Sequence, residues 1–176
     1  MLRLTTLTVT LLALVALAPP AFAQDALSQG ALATYSIVKG YVTRAAEMVP
    51  QEDYEYQPTP EVRTFGALFA HIADASFSIC AAANGEAPPR SGIEDGTTGK
   101  SALQGALAEG FAYCDGVYGG MTDTAAAGLV PFLGGQQMPK LSVLEFNTHH
   151  TFEHYGNLVT YMRLRGMVPP SSMPAQ

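Results

Sequence analysis

Thr148-His149-His150-Thr151-Phe152-Glu153-His154-Tyr155-Gly156-Asn157 holds three of the four histidines in this 176-residue chain. On a helix, residues four apart lie one above the other, so His150 and His154 aim their imidazoles at a common point. His149 is about 100° round from His150 and turns away from that point. The fourth histidine, His71, stands alone in another segment of helical pattern. If the two helices pack together, they offer three neutral nitrogen ligands with coordination positions left open, the arrangement of catalytic zinc sites. This reading makes the chain a bundle of helices closed around a metal.

The rest of the chain agrees with a bundle. From Asp25 to Val49, Leu27, Leu32, Tyr35, Val38, Val42, Ala45 and Met48 recur at three- and four-residue intervals, and Pro50 ends the pattern. Thr59-Pro60-Glu61 reads as an N-cap with proline at the first helical position, opening a second helix that runs to about Ala83 and stops at Asn84-Gly85. The Pro- and Gly-rich stretch through Gly99 has no periodic apolar face and is longer than a helix hairpin needs, so it is expected to cross the bundle or cover a site. A third helix is expected from Lys100 to Tyr118, weakened by its glycines, and a fourth from Pro139 to Arg165. Between them, Val130-Pro131-Phe132-Leu133-Gly134-Gly135 reads as an apolar loop pinned by a turn. No strand-like alternation stands out. The fold class is therefore all-α, a four-helix bundle with long connections.

The N-terminus carries Arg3, an apolar run from Leu4 to Ala18 and the triplet Ala21-Phe22-Ala23. That is the pattern of a secretory signal peptide over residues 1–23, leaving one domain over 24–176 in the periplasm or outside the cell. No second apolar run is expected to span a membrane. Fifteen acidic against nine basic residues, with no basic cluster, disfavour nucleic acid and anionic membrane as partners. An unidentified small molecule and a second copy of the chain, as a homodimer, remain. Export permits a disulfide between Cys80 and Cys114. Placed at different heights in the bundle, however, they are expected as buried small residues, with the pairing left open.

The His150-x-x-x-His154 pair before Tyr155-Gly156-Asn157, the lone His71 in His71-Ile72-Ala73-Asp74, and the stretches 48–54, 63–68 and 130–132 resemble the DinB/YfiT-like metalloenzymes. The similarity runs from about Thr43 to Pro170. It implies an up-down-down-up bundle in which a histidine of the second helix and the paired histidines of the fourth bind a divalent metal. Relatives include thiol-dependent transferases and isomerases. The family usually carries a basic residue and Gly-Gln after its last ligand, where this chain has Tyr155-Gly156-Asn157.

His71, His150 and His154 are thus the expected ligands of zinc, nickel, iron or manganese, since ligand type alone does not choose among them. Asp74 shares a helical face with His71, and Glu153 adjoins His154; both are candidates to orient a ligand or a bound water. Asn157 and Tyr161 follow His154 at three and seven residues and are candidates to line the pocket. The chain lacks C-x-x-C-H, Glu-x-x-His and H-E-x-x-H, which excludes c-type haem and argues against di-iron carboxylate and thermolysin-like sites. Two functions remain: a metal-dependent hydrolase or transferase, and a non-catalytic bundle that binds a metal or small ligand.

Overall fold

The computed structural model describes residues 25–174 of the chain. The expected signal peptide lies outside them. Four long helices carry the fold: α1 (Ala26–Met48), α2 (Phe65–Asn84), α4 (Lys100–Gly119) and α6 (Lys140–Leu164). Two short helices, α3 (Ile93–Gly96) and α5 (Asp123–Ala126), lie in the connections. The apolar stripe of α1 behaves as its spacing requires, with Tyr35, Val38, Val42 and Ala45 fully buried. Val49 is extended, as the residue before Pro50 must be.

Cross-helix contacts give the direction of each helix. Lys39 pairs with Asp115 and Gln104 donates to the Ala46 carbonyl, so α1 and α4 are antiparallel. His71 faces His150 while the Tyr161 hydroxyl donates to the Arg63 carbonyl, so α2 and α6 are antiparallel too. Gly66 meets Leu103, Gly110 meets Ala73, and Cys80 meets Cys114, which makes α2 and α4 parallel. The bundle is therefore up-down-down-up, with residues 85–99 as the crossover. Gly110 also decides a question about the glycines of α4. A Cβ there would sit 3.1 Å from the Ala73 carbonyl oxygen, whereas one at Gly105, Gly116 or Gly119 would meet nothing within 4 Å. Only Gly110 is required by close packing.

Three expectations are corrected. The cap of α2 is Thr64 rather than Thr59: its hydroxyl accepts from the Ala67 N–H at 3.0 Å. Residues 59–62 form a turn, and the carbonyls of Tyr56 and Tyr54 take the Phe65 and Gly66 N–H groups, so the helix starts where Phe65 enters the core. A two-stranded antiparallel hairpin, β1 (Leu129–Phe132) with β2 (Gln136–Pro139), occupies the connection read as a loop. Its strands are four residues each, too short for alternation to register, but the turn at 133–135 is where the glycines indicated, with positive φ at all three residues. By length and composition α2 is apolar enough to cross a membrane, yet 67% of that stretch is buried, because it packs against both α4 and α6.

The third correction concerns the cysteines. Cys80 and Cys114 form a disulfide with a Cα–Cα separation of 5.5 Å. Parallel helices put both residues near C-terminal ends at the same height, where an antiparallel pair would have separated them. A Cys80→Ala/Cys114→Ala double variant should lose about 3–4 kcal/mol of unfolding free energy, the loop-closure value for a separation of 34 residues. Urea denaturation checks this, and a loss well under about 1 kcal/mol would mean that packing alone holds the parallel pair.

Candidate metal centre

Position along and around α6 is set by a buried face whose middle turns are polar. Asn147, Thr148, Thr151 and His154 are all buried on it. Below the histidines, contacts to Tyr118 of α4 fix the helix rotation, while Asn147 Oδ1 is buried without a partner among the described residues. The Tyr118 hydroxyl donates to the Leu144 carbonyl and lies 2.9 Å from the Thr148 hydroxyl. Asn147 Nδ2 donates to Tyr118 at 3.3 Å, and Thr151 donates to the Asn147 carbonyl at 2.8 Å. Tyr118 is itself held by stacking on Tyr35, ring centroids 4.2 Å apart. This layer aims His150 and His154 at α2.

There the three expected ligands meet. His150 Nε2 lies 3.2 Å from His71 Nε2 and 3.1 Å from His154 Nε2. One ligand atom from each residue falls within 4.8 Å of the others. Nitrogens bound at about 2.0–2.1 Å to one ion stand about 3.0 Å apart at a right angle and about 3.4 Å apart at the tetrahedral angle. The two separations from His150 fall between those limits, so the donor set can close on one divalent ion. Phe146 stacks along the His150 ring and is met edge-on by Phe132 from β1, giving that side of the site an apolar wall.

Protonation favours the same reading. Burial, then the neighbouring imidazoles and Arg63, pull His154 down from the ordinary 6.5 to about 4. Burial, His71 and Arg63 also lower His150, against a small opposing pull from Glu153. Neutral imidazoles are what a metal requires.

Behind the ligands the three rings differ. His71 Nδ1 lies 2.7 Å from Glu94 Oε2, and Glu94 Oε1 accepts from Arg63 Nε at 2.6 Å. Glu94 is acidified: burial opposes ionisation, but Arg63 and His71 outweigh it. His154 Nδ1 has the Asn157 amide at 3.5 Å. With Nε2 given to a metal, Nδ1 carries the proton, so the amide must turn its Oδ1 toward the ring. His150 Nδ1 is buried without a partner.

Of the other candidates, Asp74 touches no ligand; its Oδ2 accepts the Glu94 backbone N–H at 2.7 Å. Glu153 is exposed and forms no hydrogen bond or ion pair among the described residues, and His149 is exposed on the far side beside α1. Tyr161 is core, edge-on to Phe65, but also lines a cleft of about 520 Å³ with Glu61, Val62, Arg63, Leu68 and Asn157. That cleft borders the site on the Nδ1 side of His71 and His154. Arg63 and Glu94 were not legible as site residues, since Glu94 sits in an irregular segment with no spacing to mark it. Arg165, at the C-terminal end of α6, pairs with the buried Asp53 at 2.7 Å.

A family model described as the DinB superfamily matches residues 37–158. Among curated proteins, none matches the sequence. Among solved structures, a mycothiol-dependent maleylpyruvate isomerase is similar at a TM-score of 0.62 and 17% identity, over 74% of this chain. This chain spans only 60% of that protein's length. A DinB-like protein from Bacillus cereus is similar at a TM-score of 0.69 and 16% identity, over 81% of this chain and 95% of its own. One from Bacillus subtilis has a TM-score of 0.66 at 16% identity, over 83% and 99%. At these identities the likeness is one of fold.

The depressed His154 gives a pH test with a definite sign. Between its ordinary 6.5 and its folded value of about 4, the unfolded chain binds the proton that the folded chain refuses. Acid therefore favours unfolding in that window, and stability is restored as pH rises through it. Melting temperatures of metal-free protein should fall from pH 6.5 to 4 more steeply in wild type than in His154→Asn. Parallel curves for the two would contradict the neutral, crowded triad.

Proposed function

This chain belongs to the DinB superfamily, and on that premise we propose that it holds one divalent metal ion through Nε2 of His71, His150 and His154, at a site open to a small oxygen-donor ligand. The observation that carries the reading is the convergence of three imidazole nitrogens, with His150 Nε2 at 3.1 and 3.2 Å from the other two. Such an ion, when bound, supplies Lewis acidity toward water or a substrate oxygen. The residues around it do the rest. His71 keeps 21% of its side chain exposed, so the site is reachable from solvent. Arg63 places a positive charge beside it, suited to a small anion, and Phe146 with Phe132 walls it on the His150 side.

The reaction class we favour is hydrolysis, with group transfer as the companion reading. A thiol cosubstrate, such as the mycothiol of the isomerase with the related fold, fits less well with an exported protein. Export itself is part of the proposal. It is supported by the sequence of residues 1–23 and by the Cys80–Cys114 disulfide, a bond that persists in oxidising compartments. The second reading, a bundle that binds a metal or ligand without catalysis, draws on a specific observation. Of the carboxylates beside His71, Glu94 is committed to His71 and Arg63, and Asp74 holds the Glu94 backbone N–H through Oδ2, its Oδ1 being buried without a partner among the described residues. Glu61, lining the adjacent cleft, is held below the ordinary carboxylate range by the Thr59 hydroxyl, which makes it a weak proton acceptor.

Three measurements test this. Replacing His71, His150 or His154 by alanine should remove most of the bound metal from protein purified without a histidine tag, while His149→Ala retains it; equal metal in all four would sink the triad. A chelator should lower the melting temperature of the loaded protein, because an ion bound only by the folded state adds RT ln(1 + [L]/Kd) to its stability. Ester, amide and lactone hydrolysis lost in His150→Ala would establish the catalytic reading. Metal bound without turnover there or in thiol transfer would establish the binding one.

A further inference from the structure

We propose that Glu94, carried by the crossover segment, is the positioning residue of the metal site: its carboxylate fixes His71 as the Nδ1–H tautomer and so aims Nε2 at the ion. This inference rests on the metal reading above. A ligating histidine needs an acceptor behind it, or the ring can rotate and the wrong nitrogen can carry the proton. Glu94 Oε2, 2.7 Å from His71 Nδ1, is that acceptor.

Glu94 is built into place from three sides. Arg63 Nε holds the other carboxylate oxygen at 2.6 Å, leaving Oε2 to His71. The Asp74 carboxylate takes the Glu94 backbone N–H at 2.7 Å. Asp74 lies three residues after His71 on the same face of α2, so one turn of helix grips both ends of the same residue. Ile93, the preceding residue, is 1% exposed and anchors the segment in the core. Gly92 and Gly99, with φ of 76° and 85°, bracket the stretch and give it turns that residues with side chains adopt poorly. Arg63 also comes within 3.3 Å of His71 Nδ1 through Nη2, but both atoms are donors once Nε2 is given to a metal. Glu94 alone can accept.

The contrast within the triad makes the assignment specific. His154 has only the longer contact to Asn157, and His150 Nδ1 has no partner. His71 is thus the one ligand with a charged acceptor behind it, and the negative charge raises its donor strength.

Zinc affinity by chelator competition and the absorption spectrum of the cobalt-substituted mature protein test the proposal. Glu94→Ala should weaken zinc binding by about 10–100-fold and shift the cobalt bands. Glu94→Gln, which still offers an oxygen to Nδ1–H, should recover part of the loss. Combined with His71→Ala, Glu94→Ala should cost nothing further, since its effect passes through that ring. A role confined to pairing with Arg63 would instead lower the melting temperature of the metal-free protein and leave affinity and spectrum unchanged, overturning the proposal. Wild-type protein that binds neither zinc nor cobalt would overturn the metal reading beneath it, a result distinguishable from any behaviour of the variants.

Discussion

Two helices that are consecutive in the core, α2 and α4, run parallel, and most of what is distinctive in this structure follows from that constraint. A helix of twenty residues is about 30 Å long, so the chain leaving Asn84 must travel back that distance before α4 can begin. Fifteen residues in extended form reach about 50 Å, enough to return and still turn inward on the way. The return path crosses the face of α2 that carries His71, which is how a residue twenty-three positions distant in sequence comes to lie against its ring. The same parallelism brings Cys80 level with Cys114. It also leaves α2 and α6 antiparallel neighbours, the pairing that closes the histidine cluster.

The site is therefore assembled by three kinds of restraint of unequal strength. Helix geometry places His150 and His154 one turn apart, and no other feature of the chain is needed for that. A buried polar layer in which Tyr118 of α4 meets Leu144, Asn147 and Thr148 sets the rotation of α6, so that the pair faces α2 instead of solvent. Asn147 Oδ1 is the atom of this layer buried without a partner among the described residues, and an unpaired buried polar group costs about 1–3 kcal/mol. The crossover then adds a charged contact at His71 alone. One ring is held firmly, one through an amide and one by packing against Phe146. This gradation leaves His150 the ligand whose ring orientation depends most on the ion itself.

Much of this was legible in the sequence, and the limits have physical reasons. The four long helices were found within a residue or two, apart from the start of α2, because their apolar spacing is regular and Pro50, Asn84-Gly85 and Gly166 punctuate it. The three histidines were legible because one periodicity rule relates two of them and the third had no competitor. The α2 cap was misplaced because Thr59-Pro60 satisfies the local rule as well as Thr64 does; tertiary contact, with Phe65 buried and its N–H taken by Tyr56, chose between them. The cysteine pairing turned on helix direction, which no local pattern encodes. Glu94 was invisible for a related reason. Its importance depends on where a long segment without periodic pattern passes, and Asp74, a candidate to orient a ligand or a bound water, instead holds the Glu94 backbone.

The central claim is that the three Nε2 atoms bind a single divalent ion. X-ray absorption at the edge of the metal carried by tag-free mature protein tests it most directly, since it reads the number, type and distance of the ligands at once. The account expects about one ion per chain with three imidazole nitrogens at about 2.0–2.2 Å, completed by oxygen and containing no sulfur. Protein that carries no metal after exposure to zinc, nickel, iron and manganese, or an absorption spectrum with fewer than three imidazoles, would contradict it.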